Sequence, residues 1–226
     1  MLHRDSELDL YLIRHGESAG NRRDPRAPYD PDSELTPRGR EQMTLLGRRL
    51  LADRVVFDAV YSSTLKRAIG SAEAMLSAMG SRVRFERVRA LDELRVAIRD
   101  GQPIDQRLND QELRSYERAG PWWVYGEQAG EGVESERMLQ RRVMSWIEDR
   151  LINDTRFLTP GGTSVVAMVT HGGAIRTALQ SILGFDATFI RRFQIDNASI
   201  SRLRFNASGW FPVSINDAWH TRDARA

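Results

Sequence analysis

Cysteine does not occur among the 226 residues, which excludes disulfides, thiolate catalysis and sulfur-based zinc sites. Lysine is nearly missing too. Lys66 is the only one, so almost all positive charge is carried by arginine, the side chain best suited to bidentate grips on anions. Neither sign dominates: 33 basic against 31 acidic residues leave a formal charge of +2, and without a basic tract nucleic acid is not an expected partner. No apolar run reaches the length of a membrane span, and the start of the chain, with His3, Arg4, Asp5 and Glu7, lacks the apolar core of a signal peptide. The expectation is a cytoplasmic protein without membrane contact. The four histidines are widely spaced, and neither a metal nor a cofactor is expected.

What is present is length enough for a sizeable core, read as one domain over 1–226 with an inserted cap. The chain is organised around Leu12-Ile13-Arg14-His15-Gly16-Glu17-Ser18. An unbroken apolar run, Leu10 to Ile13, predicts a strand covered on both faces, and open α/β sheets bind ligands at the carboxyl ends of such strands. An imidazole delivered there can act as a nucleophile. Gly16 lets the backbone turn and a ligand come close, and Arg14 offers a planar fork to phosphate oxygens.

Ala19 to Ser33 reads as an irregular loop containing Asn21. Thr36-Pro37 predicts a capped helix start, with Met43, Leu46 and Leu50 at helical spacing. Ala59 to Ser62 reads as a short strand, after which Thr64 is a candidate cap for a helix carrying Ala68, Ala72, Met75 and Met79, ended by Gly80. That helix puts Arg67 in a first turn, where free N–H groups and a cation together attract an anion. Arg82 to Glu86 reads as a third strand. From Ala90 to about Glu134 no further strand is evident. Asp105 to Arg118 reads as a helix, and Gly120 to Gly132 holds Pro121, Trp122, Trp123 and Tyr125. A segment of this kind is commonly a lid, although the two tryptophans could equally seal the core. Met138, Val143, Trp146, Ile147 and Leu151 mark an amphipathic helix from about Glu134 to Asn153. Val165 to Val169 is a second buried strand, ended by Thr170-His171-Gly172-Gly173 and followed by a helix with Ile175, Ala178, Leu179 and Ile182. Ile200 to Val213 reads as a hairpin turning at Asn206 to Gly209. Two buried strands thus end in His-Gly, and if they are neighbours both imidazoles emerge at one edge.

His15, Arg14, Arg67 and His171 then make one nucleophile and three donors, as phosphoryl transfer through a side chain requires, with the Asn21 amide in reach. The runs LIRHGES with Asn21 behind it, LTPRGREQ at Leu35 to Gln42, YSSTLKRA at Tyr61 to Ala68, LDEL at Leu91 to Leu94 and VTHGG at Val169 to Gly173 resemble the histidine phosphatase superfamily, in its phosphoglycerate mutase-like branch. The resemblance implies that His15 is phosphorylated and that Arg14, Arg67 and His171 hold the phosphate. Asn21 and Gly172 join the substrate-binding set. The family's proton donor falls on Glu93, with Asp92 beside it, while Glu17 reads as a loop-stabilising group.

Two departures bear on activity. Where many members continue the acid motif with Gly-aromatic-Glu-Gly, this chain has Arg95-Val96-Ala97-Ile98-Arg99-Asp100-Gly101, and the stretch after Asn21 lacks the Ser or Thr and Gly that cofactor-dependent mutases use. The reading is therefore a three-layer α/β/α domain with a mainly parallel sheet and a cap over about 95–134. Its expected activity is metal-free hydrolysis of a small phosphomonoester through phosphohistidine. A cofactor-dependent phosphoglycerate mutase and a non-catalytic phospho-ligand-binding relative are the alternatives, and the assembly is open to a homodimer.

Overall fold

A computed structural model describes residues 6–21, 30–99, 102–103, 109–124, 133–185 and 194–222. The apolar run at the start becomes β1, Glu7–Arg14. Its even positions, Leu8, Leu10 and Leu12, enter one core, and Tyr11 and Ile13 enter another on the opposite face. That two-sided burial is why no polar alternation appears over Leu10 to Ile13. The polar residue within the strand, Asp9, is buried and accepts hydrogen bonds from Arg202 and Arg204. Burial pushes its carboxyl up, but the two arginine hydrogen bonds outweigh this and hold it below the usual value.

Thr36 caps α1, Pro37–Ala52, by accepting from Gly39 N at 3.0 Å, and Met43, Leu46 and Leu50 are all buried. β2, Ala59–Ser62, leads to α2, Lys66–Met79. Thr64 does not cap it: Leu65 occupies the cap position, and the Thr64 hydroxyl and N–H both donate to Asp92. Gly80 ends α2 in the left-handed region at φ 64°, a backbone shape that costs glycine least. β3 is shifted from its expected place to Phe85–Arg87.

The cap is not wholly strandless. β4, Ile98–Arg99, and β5, Gln102–Pro103, form a minimal antiparallel pair, followed by α3, Asp110–Ala119, with Asn109 in a capping box with Glu112. A true box sets the start of α3 five residues later than expected, and 104–108 lie outside the described residues. Trp123 packs edge-on against Tyr116 at 5.9 Å in a small cluster with Leu94, Val96, Ala97 and Val133. Trp122 is exposed beneath the Arg137 guanidinium. Neither tryptophan seals the main core, and Tyr125 with the glycines after it lies outside the described residues.

α4, Glu136–Ile147, continues as one π-type turn, Glu148–Ile152. Its buried seam is Leu139, Val143, Ile147 and Leu151, while Met138 is exposed, because an i, i+4 row and not the residue one step before it faces the sheet. β6, Thr163–Thr170, α5, Gly172–Leu183, and the hairpin of β7, Ile200–Asn206, and β8, Gly209–Asp217, complete the chain.

The sheet order is β3-β2-β6-β1-β7-β8, parallel from β3 to β1 and antiparallel through β7 and β8. Helices α1 and α2 cover one face, α4 and α5 the other. Strands β1 and β6 are neighbours, yet the helices that follow them go to opposite faces. This opens a crevice at their carboxyl ends.

Candidate active site

Four of the five expected residues reach that crevice from strand ends and first helical turns. His15 follows β1 and His171 follows β6, and their rings lie 5.0 Å apart. The register that aligns Arg14 with Thr170 makes this unavoidable.

His15 is buried, and its Nδ1 sits 2.6 Å from the Gly16 carbonyl. A carbonyl oxygen only accepts, so Nδ1 carries the proton and Nε2 keeps a lone pair. Burial, reinforced by the Arg67 and Arg14 guanidiniums, pushes His15 well below its ordinary pKa and keeps it neutral at neutral pH. The ring is held through its backbone: His15 O accepts from Asn197 Nδ2 at 3.0 Å and from Ala198 N at 3.2 Å, and Gly16 N donates to the buried Ser71 hydroxyl. Gly16 serves packing here. A Cβ on it would lie 2.3 Å from the Gly39 carbonyl oxygen, so a bare backbone lets the first turn of α1 close against the loop.

His171 Nε2 is 2.7 Å from Ser63 Oγ, which lies 2.8 Å from Asp92 Oδ1. The carboxylate must accept the single hydroxyl proton, so Ser63 accepts from His171 Nε2–H. His171 Nδ1 is buried without a hydrogen-bond partner among the described residues. Burial, then Arg67 and His15, lower the His171 pKa well below its ordinary value. Asp92 is fully engaged in this clasp, with Thr64 on its other side.

Arg67 is buried in the first turn of α2 and donates to the Pro31 carbonyl at 2.7 Å. Arg14 donates to the Ile195 carbonyl at 2.5 Å while its Nε is buried without a partner among the described residues. Glu93 comes from an irregular loop. Its Oε1 accepts from Leu94 N at 2.9 Å and its Oε2 from Gly173 N at 3.1 Å, and it is the strongest acidic influence on Arg14. A Cβ on Gly173 would lie 2.2 Å from Glu93 Oε1, so the bare backbone there is what lets the carboxyl rest in its present place.

Asn21 sits on the rim in a short 3₁₀ turn, its side-chain oxygen accepting from Ser18 N and from Asn197 Nδ2, both at 3.1 Å. Gly172 opens α5 beside Arg14 and Arg176. Glu17 accepts from Thr36 Oγ1 at 2.8 Å, which is the loop-stabilising part expected of it. Sequence reasoning missed Ser63, Ser71, Asn197 and Arg176. A serine at a strand end was visible, but its partner lies 29 residues away; for Asn197 no local pattern marks the contact.

Three histidines held neutral make stability depend on pH. His15 and His171 are strongly depressed and His220, by burial and Arg49, falls to about 4. The unfolded chain takes up these protons near pH 6.5 and the folded chain does not, so stability is lost as pH falls below that value. The thermal midpoint should drop between pH 7.5 and 5, with His220 alone worth on the order of 1–2 kcal/mol at pH 5. His220→Gln should flatten the profile; an unchanged slope would place its titration elsewhere.

A doubly wound sheet that brings two histidines and two arginines to its central crevice defines the class of α/β protein suited to receiving an anion there. The chain belongs to the histidine phosphatase superfamily (branch 1), whose family model matches residues 10–218. A probable phosphoglycerate mutase of Salmonella newport is 31% identical over 221 residues, covering 94% of each chain. Among solved structures, phosphoserine phosphatase of Entamoeba histolytica in complex with 3-phosphoglyceric acid superposes with a TM-score of 0.74 at 21% identity over 94% of this chain and 98% of that one. Phosphoglycerate mutase of Bacillus anthracis gives 0.72 at 23% over 99% of both. Among the described residues no helix is long and apolar enough to cross a membrane.

Proposed function

We propose that the protein hydrolyses phosphomonoesters of small metabolites through a phosphohistidine on His15. One observation carries this reading: the bond from His15 Nδ1–H to the Gly16 carbonyl leaves Nε2 unprotonated, in a buried site shared with Arg14, Arg67 and His171. Nε2 attacks phosphorus in line and the ester P–O bond breaks, while Glu93 gives its proton to the departing oxygen. The Glu93 carboxylate then takes a proton from the water that attacks phosphorus and cleaves the P–N bond, which returns both groups to their starting state. Arg14, Arg67 and the opening N–H of α5 at Gly172 are suited to the phosphoryl oxygens, His171 joins them through Nδ1 when that nitrogen takes up a proton together with the bound phosphate, and Asn21 is suited to the rim of the substrate.

The relatives named as mutases favour a second reading, return of the phosphoryl group to another hydroxyl. Incubation with a panel of phosphate esters, with 3-phosphoglycerate among them, separates the two. Phosphate release supports hydrolysis, isomerised ester without release supports the mutase, and binding without turnover supports a non-catalytic relative.

Arg67→Lys keeps the charge but loses the planar fork, and should lower kcat/KM at least about tenfold, or ~1.4 kcal/mol of transition-state stabilisation. Kinetics within twofold of wild type would remove Arg67 from the site. Excess chelator should leave the rate unchanged, because two guanidiniums already supply the charge a metal would bring; loss restored by magnesium or zinc would count against the mechanism.

A further inference from the structure

The loop that carries Glu93 has no regular structure between Asp92 and Ala97, so its carbonyls need donors from elsewhere. One side chain meets two of them and two more in the turn just before. Arg142, on α4, donates from Nη1 to the carbonyls of Ala90 at 2.8 Å, Asp92 at 3.0 Å and Arg89 at 3.3 Å, and from Nη2 to that of Glu93 at 3.4 Å. The guanidinium is itself fixed by a bidentate pair with Glu134, Nε to Oε1 at 2.9 Å and Nη2 to Oε2 at 2.7 Å. Glu134 is buried, and Arg95 also donates to its Oε1 at 2.7 Å. Burial pushes Glu134 up, but the Arg142 and Arg95 hydrogen bonds hold it below its ordinary pKa and hence ionised. Its backbone N–H donates to the Arg95 carbonyl at 2.8 Å, so the cluster also pins the two feet of the cap together.

We infer that Arg142, oriented by Glu134, is a positioning residue for the proton donor: it fixes the backbone on which Glu93 stands. The inference rests on the proposed role of Glu93. Where Arg95 to Gly101 departs from the family's usual continuation of the acid motif, this cluster provides the anchor.

The test compares an alkyl phosphate, whose leaving oxygen needs a proton, with p-nitrophenyl phosphate, whose leaving group does not. Arg142→Lys keeps the charge but cannot grip Glu134 bidentately and reach the carbonyls at once, and Glu134→Gln keeps the shape but frees one side of the fork. Both should retain a cooperative thermal transition and lower the alkyl-to-aryl ratio of kcat/KM, which reports the first step, at least about tenfold, with the aryl kcat/KM within about threefold of wild type. The alkyl pH–rate profile should shift on the limb that reports Glu93. Equal loss on both esters, or none, overturns the inference, and if one variant unfolds the other carries the comparison. Glu93→Gln runs beside them. If it shows no leaving-group selectivity, the acid assignment falls and takes the positioning role with it; if it is selective and the two variants are not, only the positioning role falls.

Discussion

His15→Gln should abolish turnover, with a loss of at least about 10⁴-fold in kcat, equivalent to ~5.5 kcal/mol. Glutamine fills much of the imidazole volume and carries no charge, and the native ring is neutral already, so the fold should tolerate the exchange. What disappears is the lone pair. The other buried imidazole, His171, is committed through Nε2 to Ser63, and its ring centre lies 5.0 Å from that of His15, so it does not stand where His15 Nε2 stands. Rapid quenching with a labelled ester should trap phosphate on the wild type that is labile to acid and stable to base, as a phosphoramidate bond is. Equal labelling of His15→Gln would end the assignment.

The second large effect belongs to Glu93, and the geometry allows two independent approaches to it. Glu93→Gln removes the proton but keeps the shape, and should slow alkyl phosphate hydrolysis about 10²-fold or more while sparing the first step with an aryl ester. Gly173→Ala leaves the carboxyl in the chain but places a methyl carbon 2.2 Å from where Oε1 now sits. The carboxylate must move and lose its bond from Gly173 N, so this variant should reproduce the same selectivity. Asp92→Asn should behave differently. Asp92 reaches the site through Ser63 and His171, so its loss should slow both ester classes alike. Selective loss in Asp92→Asn with none in Glu93→Gln would mean that the donor is misplaced by one residue.

The sheet was legible because burial on both faces leaves an unbroken apolar run, as in β1 and β6. Helix boundaries were legible where a local contact sets them: Thr36 to Gly39 at the start of α1, Gly80 at the end of α2. Thr64 shows the limit. It has the chemistry of a cap, yet its hydroxyl is taken by Asp92, 28 residues on, and nothing local records that competition. The same holds for Glu134, just before α4, and Arg142, inside it, which serve a loop some 40 to 50 residues upstream.

By itself the sequence determined the fold class, the family and the candidate set His15, Arg14, Arg67, Glu93 and His171, because strand burial, helix caps and strand-end motifs are written over a few adjacent residues. Only the tertiary structure decided the tautomer of His15, the confinement of Asp92 to a clasp on Ser63 and Thr64, the close approach of Gly173 to the Glu93 carboxyl and the anchoring of the acid loop by Arg142. Each of these turns on a hydrogen bond or a contact of a few ångströms between segments brought together by strand order. A chain read in one dimension holds the donors and acceptors but not their pairing, and the pairing is what fixes where the protons and charges sit.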